Sequence, residues 1–151
     1  MKKYLLTLFC LFVLRLQAAP IEATDPVGQR FGMCLLEVLD SVFKEGLYHY
    51  AGSSGKPRTS EEPITVQFED NKNERLLIYG FSKDKCDLAM MVLPLTALDA
   101  TVRGYDQQFL SLGKQLWRTP NGTIKVSVAI GKESMRNDHK PHLLVVFDPS
   151  L

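Results

Sequence analysis

Apolar positions recur at two different periods along this chain, and the switches between them predict its elements. From Phe31, the residues Cys34, Leu35, Val38, Leu39 and Val42 follow at three- and four-residue steps, with Glu37, Asp40 and Lys44 between them. That spacing makes one apolar stripe on a helix. Asp25 stands where an N-cap is wanted, Pro26 fits the first helical position and Gly46 the C-terminal stop, so a helix is expected over 26–45. Gly32 inside it costs roughly 1 kcal/mol against Ala, which the length of the stripe outweighs.

Ala51 to Glu62 is small, polar and contains Pro and Gly, which reads as a loop. After Pro63 the period becomes two. Ile64, Val66 and Phe68 alternate with Thr65, Gln67 and Glu69, the pattern of a half-buried strand. Asp70 to Asn73 turns the chain into a more apolar strand, Leu76 to Phe81, and Ser82 to Lys85 turns it again. Cys86 to Leu93 is read as a third strand ended by Pro94, although Ala89, Met90 and Met91 suit a helix equally well. Leu98, Val102, Tyr105, Phe109 and Leu112 return to helical spacing, and Gly113 closes a second helix expected over Thr96 to Leu112.

The last third is the clearest β signal. Gln115 to Thr119 and Thr123 to Ile130 flank Pro120-Asn121-Gly122, whose Asn-Gly tolerates positive φ, so a hairpin is expected. A polar loop, Gly131 to Pro141, leads to a final strand, Leu143 to Phe147. No internal repeat is visible in the residues. The expectation is an α+β domain, order α-β-β-β-α-β-β-β, with two helices on an antiparallel sheet of five to six strands. This order, with RLLIYGF before the second helix and QLWRTPNGTIKVSVAI after it, resembles the small α/β chaperones of type III secretion. The chain departs from them in its apolar leader and in lacking their final helix, so the resemblance implies a fold and no more.

The leader changes the compartment. Lys2 and Lys3 precede eleven almost purely apolar residues, Tyr4 to Leu14, and small residues close the segment before Pro20. This is the layout of a secretory signal, too short for a bilayer span, with cleavage expected after Ala18. It divides the chain into a signal at 1–18 and one domain at 19–151, since 151 residues support a single core. Cys10 follows the bulky Phe9, which argues against a lipid anchor there, and no stable membrane anchor is expected. The expected destination is the periplasm or the extracellular medium.

Losing Lys2, Lys3 and Arg15 turns a formal charge of +1 into −2. A slightly acidic domain without a basic run has no footprint for nucleic acid. Two cysteines remain, Cys34 and Cys86, and in an oxidising compartment they are most simply one disulfide; two unpaired thiols are the alternative. The bridge would close a loop of about fifty residues and stabilise by roughly 3–4 kcal/mol.

Candidate chemistry is thin. His139-Lys140-Pro141-His142 with Asp138 lacks the third and fourth ligands a metal needs, and all of it is expected in an exposed loop. Ser53 and Ser54 near His49 have no nucleophile elbow, and Glu61-Glu62 and Glu69-Asp70 sit in or beside loops. Phosphate-binding glycine loops are absent, so neither metal nor cofactor is expected. Asn121-Gly122-Thr123 matches a glycosylation acceptor, but a tight turn explains the same residues. The reading is an exported protein-binding domain: an inhibitor, an immunity protein or an accessory factor of a secretion or envelope machine. Trp117 and Arg118, near the hairpin tip, are the candidate contact residues, because Trp and Arg concentrate at binding hot spots. Ordinary packing is the other reading of Trp117. A small exported hydrolase using His49 or the His139/His142 loop is the alternative function.

Overall fold

The computed structural model describes residues 30–54, 63–131 and 140–149. Within them lie two helices, α1 (Leu35–Lys44) and α2 (Leu98–Gln108), and one antiparallel sheet of eight strands. The strands are β1 (His49–Ser54), β2 (Ile64–Asp70), β3 (Arg75–Ser82), β4 (Lys85–Pro94), β5 (Leu110–Gly113), β6 (Leu116–Arg118), β7 (Lys125–Gly131) and β8 (His142–Asp148). The α+β class is as expected; the strand number exceeds the expected five to six.

The sheet order is β1-β2-β3-β4-β8-β7-β6-β5. Each helix is thus followed by a four-stranded meander, and the two meanders join through their last strands, β4 and β8. The described residues form a topological repeat of helix plus four strands, although the sequence shows no repeat. Both outermost strands, β1 and β5, directly follow a helix.

Cross-strand register fixes which residues share a face. Val66 opposes Tyr79, Tyr79 opposes Ala89, Ala89 opposes Phe147 and Phe147 opposes Val126. These residues form one buried cluster with Val38 and Val42 of α1 and Tyr105 of α2, so both helices cover the same face. On the other face Leu76, Ile78 and Val92 make a second, smaller cluster with Met90 and Leu144. The central strands are buried on both sides, which is why β3 reads as a continuous apolar run rather than an alternation. Gly80 is needed there: a Cβ on it would lie 2.9 Å from Leu88 Cβ.

The elements differ from the sequence expectation in three places. The first helix begins at Leu35, because Gly32 takes φ +81° and Cys34 is the extended N-cap. Glu37 accepts the Cys34 N–H at 2.8 Å, half of a capping box. The expected cap at Asp25-Pro26 lies outside the described residues. Residues 51–54, expected as loop, belong to β1, where Ser53 opposes Val66 and Ser54 opposes Thr65. The second helix ends at Gln108; Phe109 is already extended, and Leu110 to Gly113 form β5. Residues 86–93 are strand, the preferred reading.

A buried cation ties the chain before α1 to the core. Arg30, 1 % exposed, donates to Tyr79 Oη at 2.7 Å and to Ser41 Oγ at 3.0 Å, and pairs with Glu45. Its guanidinium also lies 5.7 Å from the Tyr79 ring centroid. Burial works against the charge, but Tyr79 and Glu45 more than offset it and keep the group protonated.

Candidate functional site

Trp117 and Arg118 are consecutive on β6 and therefore point to opposite faces. Trp117 faces the helices. It is 1 % exposed, its ring meets Tyr105 edge-on at 5.5 Å, and its indole N–H donates to Asp106 Oδ1 at 2.8 Å. The indole is a core group that fixes β6 under α2.

Arg118 faces the other way and stays half-buried. It stands directly opposite Leu110 of β5 on one side and Lys125 of β7 on the other, and Lys125 stands opposite Asp148. Its Nε is buried with no hydrogen-bond partner among the described residues. Leu110, beside it, is 58 % exposed, and Leu112 is 45 % exposed.

These leucines lie on an outermost strand. One side of β5 pairs with β6, and on the other side no strand lies among the described residues. All four residues of β5 are exposed, and none is charged or proline. Such an edge carries neither charge nor proline against pairing with another chain; its short length and a bulge between Ser111 and Gly113 are the devices it has. Next to it is a shallow depression of about 490 Å³ lined by Val102, Asp106, Gly113, Lys114, Gln115 and Trp117. The opposite edge, β1, carries the polar Gly52-Ser53-Ser54, and the Ser54 hydroxyl is engaged with that of Thr65.

The histidines do not converge. His49 is exposed on β1, whereas His142 is buried at the start of β8, 5 % exposed, and not in an exposed loop as expected. Four strand intervals separate β1 from β8, roughly 19 Å at about 4.8 Å each. His139 and Asp138 lie outside the described residues, as do Glu61 and Glu62. Ser53 and Ser54 are on the β1 edge rather than in a loop. Asp70 closes the β2–β3 turn, accepting from the Lys72 and Asn73 amides and the Asn73 side chain. Burial alone would raise its pKa, but those bonds, with Arg75, hold it below the usual carboxylate value. Among the described residues no group of three or more His, Cys, Asp or Glu is placed to hold a metal ion.

Cys34 and Cys86 are free thiols in this structure. The chain just before α1 nevertheless lies against Cys86. Gly32 N–H donates to Cys86 O and Cys86 N–H donates to Met33 O, both at 2.9 Å. Asn121, the acceptor-pattern residue, is exposed at the hairpin tip, and its side-chain oxygen accepts from Thr123 N at 3.2 Å and Thr123 Oγ1 at 2.9 Å.

No helix among the described residues is long and apolar enough to cross a membrane. No family model, curated protein or solved structure matches this chain.

Proposed function

We propose that this chain is exported with residues 1–18 as a cleaved signal, and that in the periplasm or outside the cell it binds another protein without catalysis. An inhibitor, an immunity protein or an accessory factor of a secretion or envelope machine would each work in this way. The observation that carries the reading is β5, an outermost strand whose Leu110 and Leu112 are both exposed. An unpaired strand edge offers a row of backbone donors and acceptors, and the complement to such a row is another extended chain. The proposed occupant is an extended segment of the partner, added to the sheet beside β5. Trp117 supports this surface from beneath by holding β6 in place.

The test replaces Leu110 and Leu112 together with Asp. Both side chains are exposed, so the melting temperature should stay within about 2 °C of wild type, the behaviour of surface changes away from packed groups. Affinity for the native partner should fall at least tenfold, because two charges would be desolvated at the contact. Unchanged affinity in a folded variant contradicts the reading.

The export reading carries a second proposal: Cys34 and Cys86 form one disulfide after secretion. The Cys86 amide bonded to Met33 O limits the Cα–Cα separation of Cys34 and Cys86 to roughly 7 Å, since only one hydrogen bond and short covalent links intervene. Bridged cysteines have Cα atoms about 4.4–6.8 Å apart. Formation oxidises the two thiols and reduces one disulfide of an exchange partner, such as oxidised glutathione, to two thiols. Intact-mass measurement after alkylation should show two fewer modified thiols without reductant than with it. Two alkylated thiols in unreduced, secreted protein contradict the bridge.

The same bond changes the response to alkali. Burial, then Asp87, push the Cys86 thiol from 9.0 up to about 11. A raised folded-state pKa stabilises fully below the ordinary value and is lost as pH climbs through the raised one. The reduced protein should therefore lose stability between pH 9.0 and about 11. The oxidised protein, with no thiol to ionise, should lack that loss. Equal pH profiles for the two forms contradict it.

A further inference from the structure

Resting on the reading of β5 as a docking edge, we infer that the partner's strand is acidic: it brings a carboxylate to Arg118. The row across the helix-free face beside β5 reads Leu110, Arg118, Lys125, Asp148. Arg118 and Lys125 are directly opposed like charges, an arrangement that destabilises a sheet unless an anion relieves it. Asp148 stands beyond Lys125 and leaves the Arg118 side of the row with excess positive charge. The buried Arg118 Nε has no acceptor among the described residues, and a buried donor without a bond is costly.

A strand added beside β5 supplies that acceptor. Its residue opposite Leu110 lies on the same face as Arg118, roughly 10 Å away at two strand spacings. An extended Arg and a Glu side chain together bridge that distance, over the Leu110 side chain. Apolar residues two positions before or after the carboxylate share its face. The occupant is thus a segment of alternating apolar and polar residues with one acidic residue on its inner face. The same edge of a second copy does not fit the description, because Leu110-Ser111-Leu112-Gly113 offers no carboxylate.

The experiment uses the full mature chain and two synthetic nine-residue peptides of alternating Thr and Val. One has Glu and the other Gln at the central Val position, and affinity is measured by fluorescence anisotropy. The Glu peptide should bind at least tenfold more tightly than the Gln peptide, and the gap should narrow in high salt. Arg118→Gln should remove the preference without weakening the Gln peptide. Equal binding of both peptides overturns the acidic-partner inference while leaving edge docking intact. A Glu preference that survives Arg118→Gln overturns the role of Arg118. If neither peptide binds, the inference fails; the edge reading itself fails only if Leu110→Asp with Leu112→Asp keeps its native partner.

Discussion

Trp117→Ala is expected to destabilise the domain by about 3–5 kcal/mol, as large aromatic truncations in well-packed cores do. The indole is 1 % exposed and sits between α2 and the second meander. Its removal opens a cavity beneath β6, ends the edge-on contact with Tyr105, and leaves Asp106 without its indole donor. Tyr105 also stacks on Phe109 at 5.1 Å, so the loosened ring reaches the residue that leads into β5. Partner binding should weaken as well, through loss of the folded population and of a firm β5–β6 hairpin. The neighbouring Arg118→Gln should alter melting by less than about 1 kcal/mol while changing recognition. Equilibrium unfolding in urea separates the two. A Trp117→Ala protein as stable as wild type would contradict the packing account.

The second large effect is expected at Arg30. Arg30→Met keeps an apolar stem but removes the charge and every polar contact, and should cost about 3 kcal/mol. Tyr79 Oη and Ser41 Oγ lose their donor inside the protein. The Glu45 side chain is 25 % exposed and regains water, which keeps the cost at the low end for a broken buried pair. The contacts of Arg30 join three parts of the chain: the segment before α1, the second half of α1 and β3. Losing them should free the α1 N-terminus first, and amide exchange of Val38 should quicken more than that of Val145. A change below about 1 kcal/mol would mean that the cluster is an incidental contact.

The elements most legible in the sequence were those whose own residues carry the pattern. The alternation at Ile64 to Phe68 and at Ile124 to Ile130 located β2 and β7 because one face of each is core and the other is not. β1 was hidden because Gly52, Ser53 and Ser54 have little strand preference; pairing with β2 makes them a strand. β5 was hidden for the opposite reason. Leu112 continues the helical series Leu98, Val102, Tyr105 and Phe109, so the pattern ran past the point where the chain extends. The Phe109 amide donates to Tyr105 O at 2.8 Å as the helix's last bond, and the leucines beyond it face outward. The candidate site was lost with that strand. Arg118 was visible as a residue type, but its exposed neighbours Leu110 and Leu112 read as the buried stripe of a helix. His142 reads as a loop residue for a similar reason: its polar surroundings in sequence conceal its place at the head of a central strand.

A partner strand added to the sheet at β5 would leave its mark on the backbone of that edge. Amide hydrogen exchange of the mature protein, alone and saturated with its native partner, tests it most directly, because a new strand must take up the outward backbone groups of that edge. Exchange within residues 110–113 should slow at least tenfold in the complex, while residues 49–54 on the opposite edge keep their rates. Unchanged rates at 110–113, with protection appearing at β1 or on the outer surface of α1, would contradict the account.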